Sequence, residues 1–293
     1  MYHFLFRRFP KRAFSRLMGR LADAAWPGWL LRPVIALYVA AFRIDLGVFV
    51  VPEAGFPTFN AFFTRAVRPE ARPVDPAPGA LVSPVDGTVV ACGAIERGRL
   101  LQAKGHDYSL AALLGEAPGW ESYEGGTALT VYLSPRDYHR IHSPCAGAVR
   151  RFAYVPGDLW TVSPRGVSSV PGLFARNERI VTWIAAAWGE VALVAVGATV
   201  VGGVQVVYHP QTTNRPGARP FHAALESPYL LERGAELGRF RLGSTVILLV
   251  RPGEASLLPL APGALVRMGQ AVGSIAAAGR IRPAHGADAP FTL

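Results

Sequence analysis

Glycine and proline occur so often in this chain that long regular elements have little room to form. The 293 residues include 31 glycines and 25 prolines, and both residue types favour tight turns. From Leu81 onward, short apolar runs alternate with turn sequences such as PVDG (84–87), SPCAG (143–147) and RPGE (251–254). A hydrophobic content of 51% is enough to bury a sizeable core. The pattern therefore predicts many short strands joined by tight turns.

The first 65 residues instead have a sequence pattern typical of helices. We predict helices over 10–24, 28–42 and 58–65, with Thr58 as the N-cap of the third. The predicted fold class is α+β: N-terminal amphipathic helices in residues 1–65, then a mainly-β core of antiparallel, barrel-sandwich-like strands in residues 66–293. The apolar run 180–208 has a central Trp-Gly-Glu and is predicted to form a buried hairpin.

The positive charge is concentrated at the N-terminus. The formal net charge is +10, and residues 1–20 hold six Lys or Arg and no acid. These cations alternate with Phe and Leu, which suits a helix lying in an anionic lipid interface better than a nucleic-acid surface, so no nucleic-acid partner is predicted. Pro27, Arg32 and Pro33 interrupt the apolar stretch 24–42 and leave too few residues for a span of about 20. We expect peripheral, monotopic attachment.

Three segments carry residues suited to catalysis. Asp86 lies in the PVDG turn, His139 and His142 lie with Asp137 in the segment 131–147, and Ser244 lies in LGST (242–245). Each signal alone is weak. A helical turn would place both histidines on one face, but a zinc site needs a third protein ligand, and no metal is predicted.

Together, three of these residues have the types that a charge relay needs. Asp86, His142 and Ser244 can act as acid, base and nucleophile if the fold brings them together. The sequence alone does not show that proximity.

Several blocks of the sequence, in the same order, resemble phosphatidylserine decarboxylases, a family of pyruvoyl-dependent membrane enzymes. The resemblance extends from about residue 12 to about residue 275. The blocks are FNAFFTR (59–65), SPVDGTV (83–89), QAKGHDYSLAALLG (102–115), YLSPRDYHRIHSPCAG (132–147), LFARNERIV (173–181), VGATVVGGV (196–204) and LGST (242–245).

The resemblance implies a self-cleaving precursor. The chain would be cut between Gly243 and Ser244 into a large chain 1–243 and a small chain 244–293, and Ser244 would become a covalent pyruvoyl cofactor. This group would form a Schiff base with the amine of phosphatidylserine, and loss of CO2 would give phosphatidylethanolamine. The near absence of lysine, with only Lys11 and Lys104, favours this cofactor over lysine-bound pyridoxal phosphate.

The same resemblance implies roles for individual residues. Asp86, His142 and Ser244 would be the self-cleavage triad, and His139 would assist decarboxylation or protonate the product carbanion. The large and small chains would form a heterodimer, a higher oligomer is possible, and the enzyme would bind phosphatidylserine and anionic lipids at the cytoplasmic face of the cell membrane.

Two other functions remain open from the residues alone. One is a zinc-dependent hydrolase that uses His139 and His142. The other is a non-catalytic, carrier-like membrane-binding module, because residues 262–275 resemble the hairpin of biotinyl and lipoyl carriers, although that segment lacks the acceptor lysine.

Overall fold

The computed structural model describes residues 10–103, 106–200, 203–241 and 244–276. Ser244 is within these ranges. Gly243, the other residue of the expected cleavage site, lies outside the described residues.

Three helices open the described chain, as the sequence predicted. The side chain of Thr58 caps the third helix, because its Oγ1 accepts a hydrogen bond from the N–H of Ala61 at 3.0 Å. Shorter helices follow within the β-rich part. The helices are α1 (Lys11–Asp23), α2 (Gly28–Phe42), α3 (Phe59–Phe63), α4 (Leu110–Leu113), α5 (Pro164–Val167) and α6 (Leu173–Arg176).

The rest of the fold is mainly antiparallel β-structure, which confirms the predicted fold class. The strands are β1 (Ala80–Val82), β2 (Gly87–Ala94), β3 (Arg99–Ala103), β4 (His106–Ser109), β5 (Thr127–Leu133), β6 (Arg140–His142), β7 (Gly147–Val155), β8 (Arg179–Ala186), β9 (Gly189–Val196), β10 (Val204–Val206), β11 (His209–Thr212), β12 (Phe221–Leu231), β13 (Glu236–Phe240), β14 (Ser244–Val250), β15 (Ala255–Leu257), β16 (Leu265–Val266) and β17 (Ala271–Ile275).

An eight-stranded sheet organises the molecule, in the order β12-β7-β8-β9-β14-β5-β2-β16. Strands β8 and β9 form the expected hairpin. In β14, Val246 and Leu248 pack into one core cluster and Ile247 and Leu249 into another. Alternate side chains of a strand point to opposite faces, so β14 lies between two apolar layers. This explains why its sequence is apolar at nearly every position.

The carrier-like hairpin predicted at residues 262–275 does not form. Strand β16 pairs with β2, whereas β17 pairs with β1 and β15. The two segments therefore belong to different sheets, and that prediction was wrong.

One end of the large sheet brings three candidate segments together. Strands β2 and β14 both begin beside the end of β5, with Thr88 opposite Tyr132 and Ser244 opposite Leu133. The approach of β2 to β5 is so close that a Cβ at Gly87 would lie 2.4 Å from the carbonyl oxygen of Tyr132. Glycine is therefore required directly after Asp86.

A second sheet, ordered β11-β10-β13-β6, carries the two histidines next to this end. His142 ends β6 and His139 immediately precedes it. The helical turn considered for this pair is not formed.

No single helix in the described ranges is long and apolar enough to cross a membrane. Helices α1 and α2 taken together have the length and composition of a membrane span, but the pair is bent by 119° at the break between them.

Candidate active site

Ser244 begins the central strand of the large sheet and faces an apolar cavity. Its side chain is fully buried, and no group in the described chain hydrogen bonds to its Oγ. The cavity measures about 650 Å³, and Ser244 is part of its wall. A buried hydroxyl without a partner is costly to keep, so this position is a candidate for chemistry.

The cavity lies between the N-terminal helices and the β-core. Helices α1 and α2 contribute part of its apolar wall, and α3 and the β-core contribute the rest apart from Trp26. Its lining includes Met18, Leu21, Leu31, Val34, Phe63, Leu133, Val162 and Val200. Residues from the start of the chain therefore enclose the space in front of Ser244.

His139 lies at the same end of the sheet, with one ring nitrogen free. Its Nδ1 is 2.7 Å from the carbonyl oxygen of Asp137. A carbonyl only accepts, so Nδ1 carries the proton and Nε2 carries a lone pair. The side chain is fully buried, and Nε2 has no partner within the described ranges. Burial, assisted by the positive charge of Arg65 and opposed by the hydrogen bond to Asp137, lowers the pKa of His139 to about 3, so the ring is neutral at pH 7.

Backbone pairing joins the segment that carries His139 to the segment that leads to Ser244. The N–H of Phe240, at the end of β13, donates to the carbonyl oxygen of His139 at 2.9 Å. Ser244, four residues later, pairs with Leu133. Segments 133–139 and 240–244 are thus joined at both ends. The ring of Phe63 lies 4.1 Å from that of His139, measured between centroids, and also lines the cavity beside Ser244.

Both ring nitrogens of His142 are already engaged. Its Nδ1 donates to the carbonyl oxygen of Gly234 at 2.8 Å, and its Nε2 accepts from the hydroxyl of Tyr138 at 2.9 Å. Burial lowers the pKa of His142, and the negative charges of Glu236 and Asp86 oppose that effect. His142 is thus a neutral imidazole in the tautomer that a general base needs, with Tyr138 bound to its basic nitrogen.

A backbone hydrogen bond brings the segment that holds Asp86 beside His142, but the Asp86 side chain contacts other residues. The N–H of His142 donates to the carbonyl oxygen of Pro84 at 2.8 Å. The Asp86 carboxylate accepts from Arg72, with Nε at 2.8 Å from Oδ1, and from the N–H of Met268 at 2.8 Å. The structure therefore gathers Asp86, His142 and Ser244 at one end of the sheet. Within the part of the chain that the structure describes, these three side chains do not hydrogen bond to each other.

Two further residues hold candidate groups and a third, Arg65, lies near them, and the sequence did not single these residues out. Arg72 holds Asp86, and Tyr138 holds His142. Arg65 is buried, donates to the carbonyl oxygens of Phe62 and Arg136, and lies over the ring of Phe49. Tyr138 and Arg65 lie inside sequence blocks already recognised, and Arg72 lies in the basic, Pro-rich segment between two such blocks. These positions, within or between the recognised sequence blocks, are the only feature of the sequence that could have indicated the three residues.

Within the described ranges, no three His, Cys, Asp or Glu side chains converge as a metal site would require. No observation here favours the zinc hydrolase alternative.

Comparison with known proteins decides the family. The family model described as phosphatidylserine decarboxylase matches residues 59–274. The phosphatidylserine decarboxylase proenzyme of Anaeromyxobacter sp. (strain K) is 47% identical over 274 residues, which cover 92% of this chain and 96% of that protein. The proenzyme of Azotobacter vinelandii is 45% identical over 270 residues, covering 90% and 94%.

The chain belongs to the phosphatidylserine decarboxylase family. Members are carboxy-lyases, and the relatives named above are described as proenzymes. The matched range includes Asp86, His139, His142 and Ser244. The triad, the cleavage position and the separate roles of the two histidines remain predictions, as does the domain boundary at residue 65.

Proposed function

We propose that this member of the phosphatidylserine decarboxylase family converts phosphatidylserine to phosphatidylethanolamine and CO2 with a pyruvoyl group derived from Ser244. The observation that carries the proposal is the buried Oγ of Ser244, which lies on the wall of an apolar cavity and has no hydrogen-bond partner among the described residues. The pyruvoyl group supplies a ketone that draws electrons away from the bond to the departing CO2.

Self-cleavage uses groups of the chain itself. The Oγ of Ser244 attacks the carbonyl carbon of Gly243, and an ester replaces the peptide bond and frees the amine of residue 244. Elimination then releases Gly243 as a carboxylate and leaves a dehydroalanine, whose imine tautomer is hydrolysed by water to the pyruvoyl ketone with loss of ammonia. The environment suits this step because the Ser244 hydroxyl has no competing acceptor among the described residues and its surroundings are apolar.

We assign the serine proton to Nε2 of His142 during cleavage. Gly234 already holds the required tautomer through Nδ1. The negative charge of Asp86 favours the imidazolium that forms. For Ser244 to reach this nitrogen, the Tyr138 hydroxyl has to release it, because Nε2 has a single lone pair.

His139 serves the later reaction in this proposal. Its Nε2 carries a lone pair that has no partner in the described structure, and the ring is neutral. A neutral imidazole cannot donate from Nε2 until it has accepted a proton. We therefore infer that Nε2 first takes a proton from the substrate ammonium and then returns one to the carbon that has lost CO2.

The N-terminal helices serve a lipid substrate. Trp29 is 79% exposed and Leu37 is 71% exposed on α2, and Arg12, Arg20 and Arg32 are exposed nearby. Exposed aromatic and aliphatic side chains flanked by arginines suit an anionic lipid interface. We propose peripheral binding at the cytoplasmic face of the cell membrane, with the acyl chains of phosphatidylserine entering the cavity bounded by α1 and α2.

Membrane binding through α2 is testable with matched leucines. Leu37→Ala is expected to weaken partitioning onto vesicles by about 5- to 30-fold, corresponding to about 1–2 kcal/mol of lost apolar burial. Co-sedimentation with vesicles containing about 30% phosphatidylglycerol measures the change. Leu230→Ala is the control, because Leu230 is 79% exposed, close to the 71% of Leu37, but lies on β12. Equal effects of both substitutions would contradict binding through α2.

The experiment that tests the proposed function is intact-mass analysis of the purified protein combined with CO2 release from phosphatidylserine. We expect two fragments that meet between residues 243 and 244, the small one starting with a pyruvoyl group. A single uncut chain that releases CO2 would show that the cofactor assignment is wrong.

A further inference from the structure

The last residue of α1 contacts the segment that leads into Ser244. The Asp23 carboxylate forms an ion pair with Arg241, between Oδ2 and Nη2. Its other oxygen, Oδ1, accepts from the side-chain amide of Asn60 at 3.0 Å. One carboxylate therefore joins α1, α3 and the chain three residues before Ser244.

This contact adds a side-chain anchor to a short stretch of chain whose described residues, Phe240, Arg241 and Ser244, are also held by backbone hydrogen bonds. Phe240 is paired to His139, and Ser244 is paired to Leu133. The N–H of Arg241 donates to the carbonyl oxygen of Gly203 at 2.9 Å, and the Arg241 side chain reaches Asp23. An intramolecular attack is fast only when the reacting groups are held in a productive orientation. Loss of one anchor lets the stretch sample more conformations.

We propose that Asp23 is a positioning residue for self-cleavage, acting through Arg241 on the chain that enters Ser244. The inference rests on the proposed function, because it concerns the rate of that cleavage. It also gives α1 a second task besides membrane binding, since docking of this helix onto the core favours maturation.

The test is the rate of maturation of Asp23→Asn. Asparagine has nearly the same size and keeps an oxygen for Asn60, but it lacks the charge that pairs with Arg241. We expect maturation, followed on denaturing gels after synthesis, to slow by about 3- to 10-fold. The turnover number per mature site should stay within about twofold of wild type. The charge swap Asp23→Arg with Arg241→Asp should restore most of the rate.

A matched control exists at the opposite end of β14. Arg251 and Glu254 form a pair whose side chains are 24% and 28% exposed, compared with 25% and 38% for Arg241 and Asp23. Glu254→Gln should mature at the wild-type rate. Thermal unfolding of Asp23→Asn in an uncut Ser244→Ala background separates a positioning role from a structural one. We expect little change in melting temperature, because partly exposed ion pairs stabilise folds weakly.

The outcomes separate this inference from the proposal on which it rests. If the wild-type chain is cleaved and Asp23→Asn is cleaved at the same rate, the inference about Asp23 is overturned but the proposed function is not. Slow maturation that the charge swap fails to restore, or that accompanies a large loss of melting temperature, would also overturn it. A wild-type chain that stays uncut would overturn the proposed function and this inference with it.

Discussion

A Ser244→Ala variant is expected to remain one chain of 31.4 kDa and to release no CO2 from phosphatidylserine. Alanine cannot attack the carbonyl of Gly243 and cannot be converted to a pyruvoyl group. Because Ser244 is buried and its Oγ has no partner among the described residues, removing that oxygen breaks no hydrogen bond seen there. We therefore expect the variant to fold, which circular dichroism and thermal unfolding will show.

Ser163→Ala is the control for removal of a different serine hydroxyl, whose Oγ accepts from the N–H of Gly166 at 3.4 Å. Ser163 lines the same cavity, but the proposal gives it no part in the chemistry. It should be cut and should turn over substrate. Cleavage of the Ser244→Ala chain at residue 243 would remove Ser244 from the proposal.

The two histidines should fail at different stages. His142→Ala and Asp86→Asn are expected to slow maturation by about 10²- to 10⁴-fold, the usual contribution of a general base. His139→Ala should mature but lose a similar factor in turnover, because its Nε2 is needed only for the substrate. Densitometry of denaturing gels measures the first defect, and CO2 release per mature site measures the second.

Each histidine variant is the control for the other. If His142→Ala matures normally and His139→Ala does not mature, the two assignments are reversed, and His139 is the base for self-cleavage. The structure gives that exchange a physical basis, because the Nε2 of His139 is unpartnered within the described chain, whereas Tyr138 occupies the Nε2 of His142. A Tyr138→Phe variant tests directly whether the Tyr138 hydroxyl blocks the Nε2 of His142. If the hydroxyl only blocks His142, this variant should mature at least as fast as wild type.

Local signals were sufficient to predict the three N-terminal helices and one hairpin, but not the short helices α4, α5 and α6. Thr58 capped its helix as expected, and the Trp-Gly-Glu run marked the hairpin of β8 and β9. The order of the sheet was beyond reach, because β14 pairs with β5, whose partner residues lie more than 100 positions earlier. The mistaken hairpin at 262–275 has the same origin, since pairing with distant strands outweighed the local turn signal.

The candidate site was predicted as residues but not as contacts. The sequence indicated Asp86, His139, His142 and Ser244, and the fold brings them to one end of the sheet. It could not indicate that Gly234, 92 residues from His142, holds that ring. Nor could it show that α1 forms part of the cavity in front of Ser244. Both contacts depend on tertiary packing between distant segments.

The position of β14 determines what the two chains expected from the proposed cleavage could do after they form. The strand is buried along its whole length and is hydrogen bonded to β5 on one side and β9 on the other. Strands β16 and β17, also downstream of the cut, pair with β2 and β1. The small chain would thus be a structural interior rather than a detachable subunit. Removing it would mean unfolding the large chain, so the heterodimer should melt in one cooperative transition and should not exchange partners while folded.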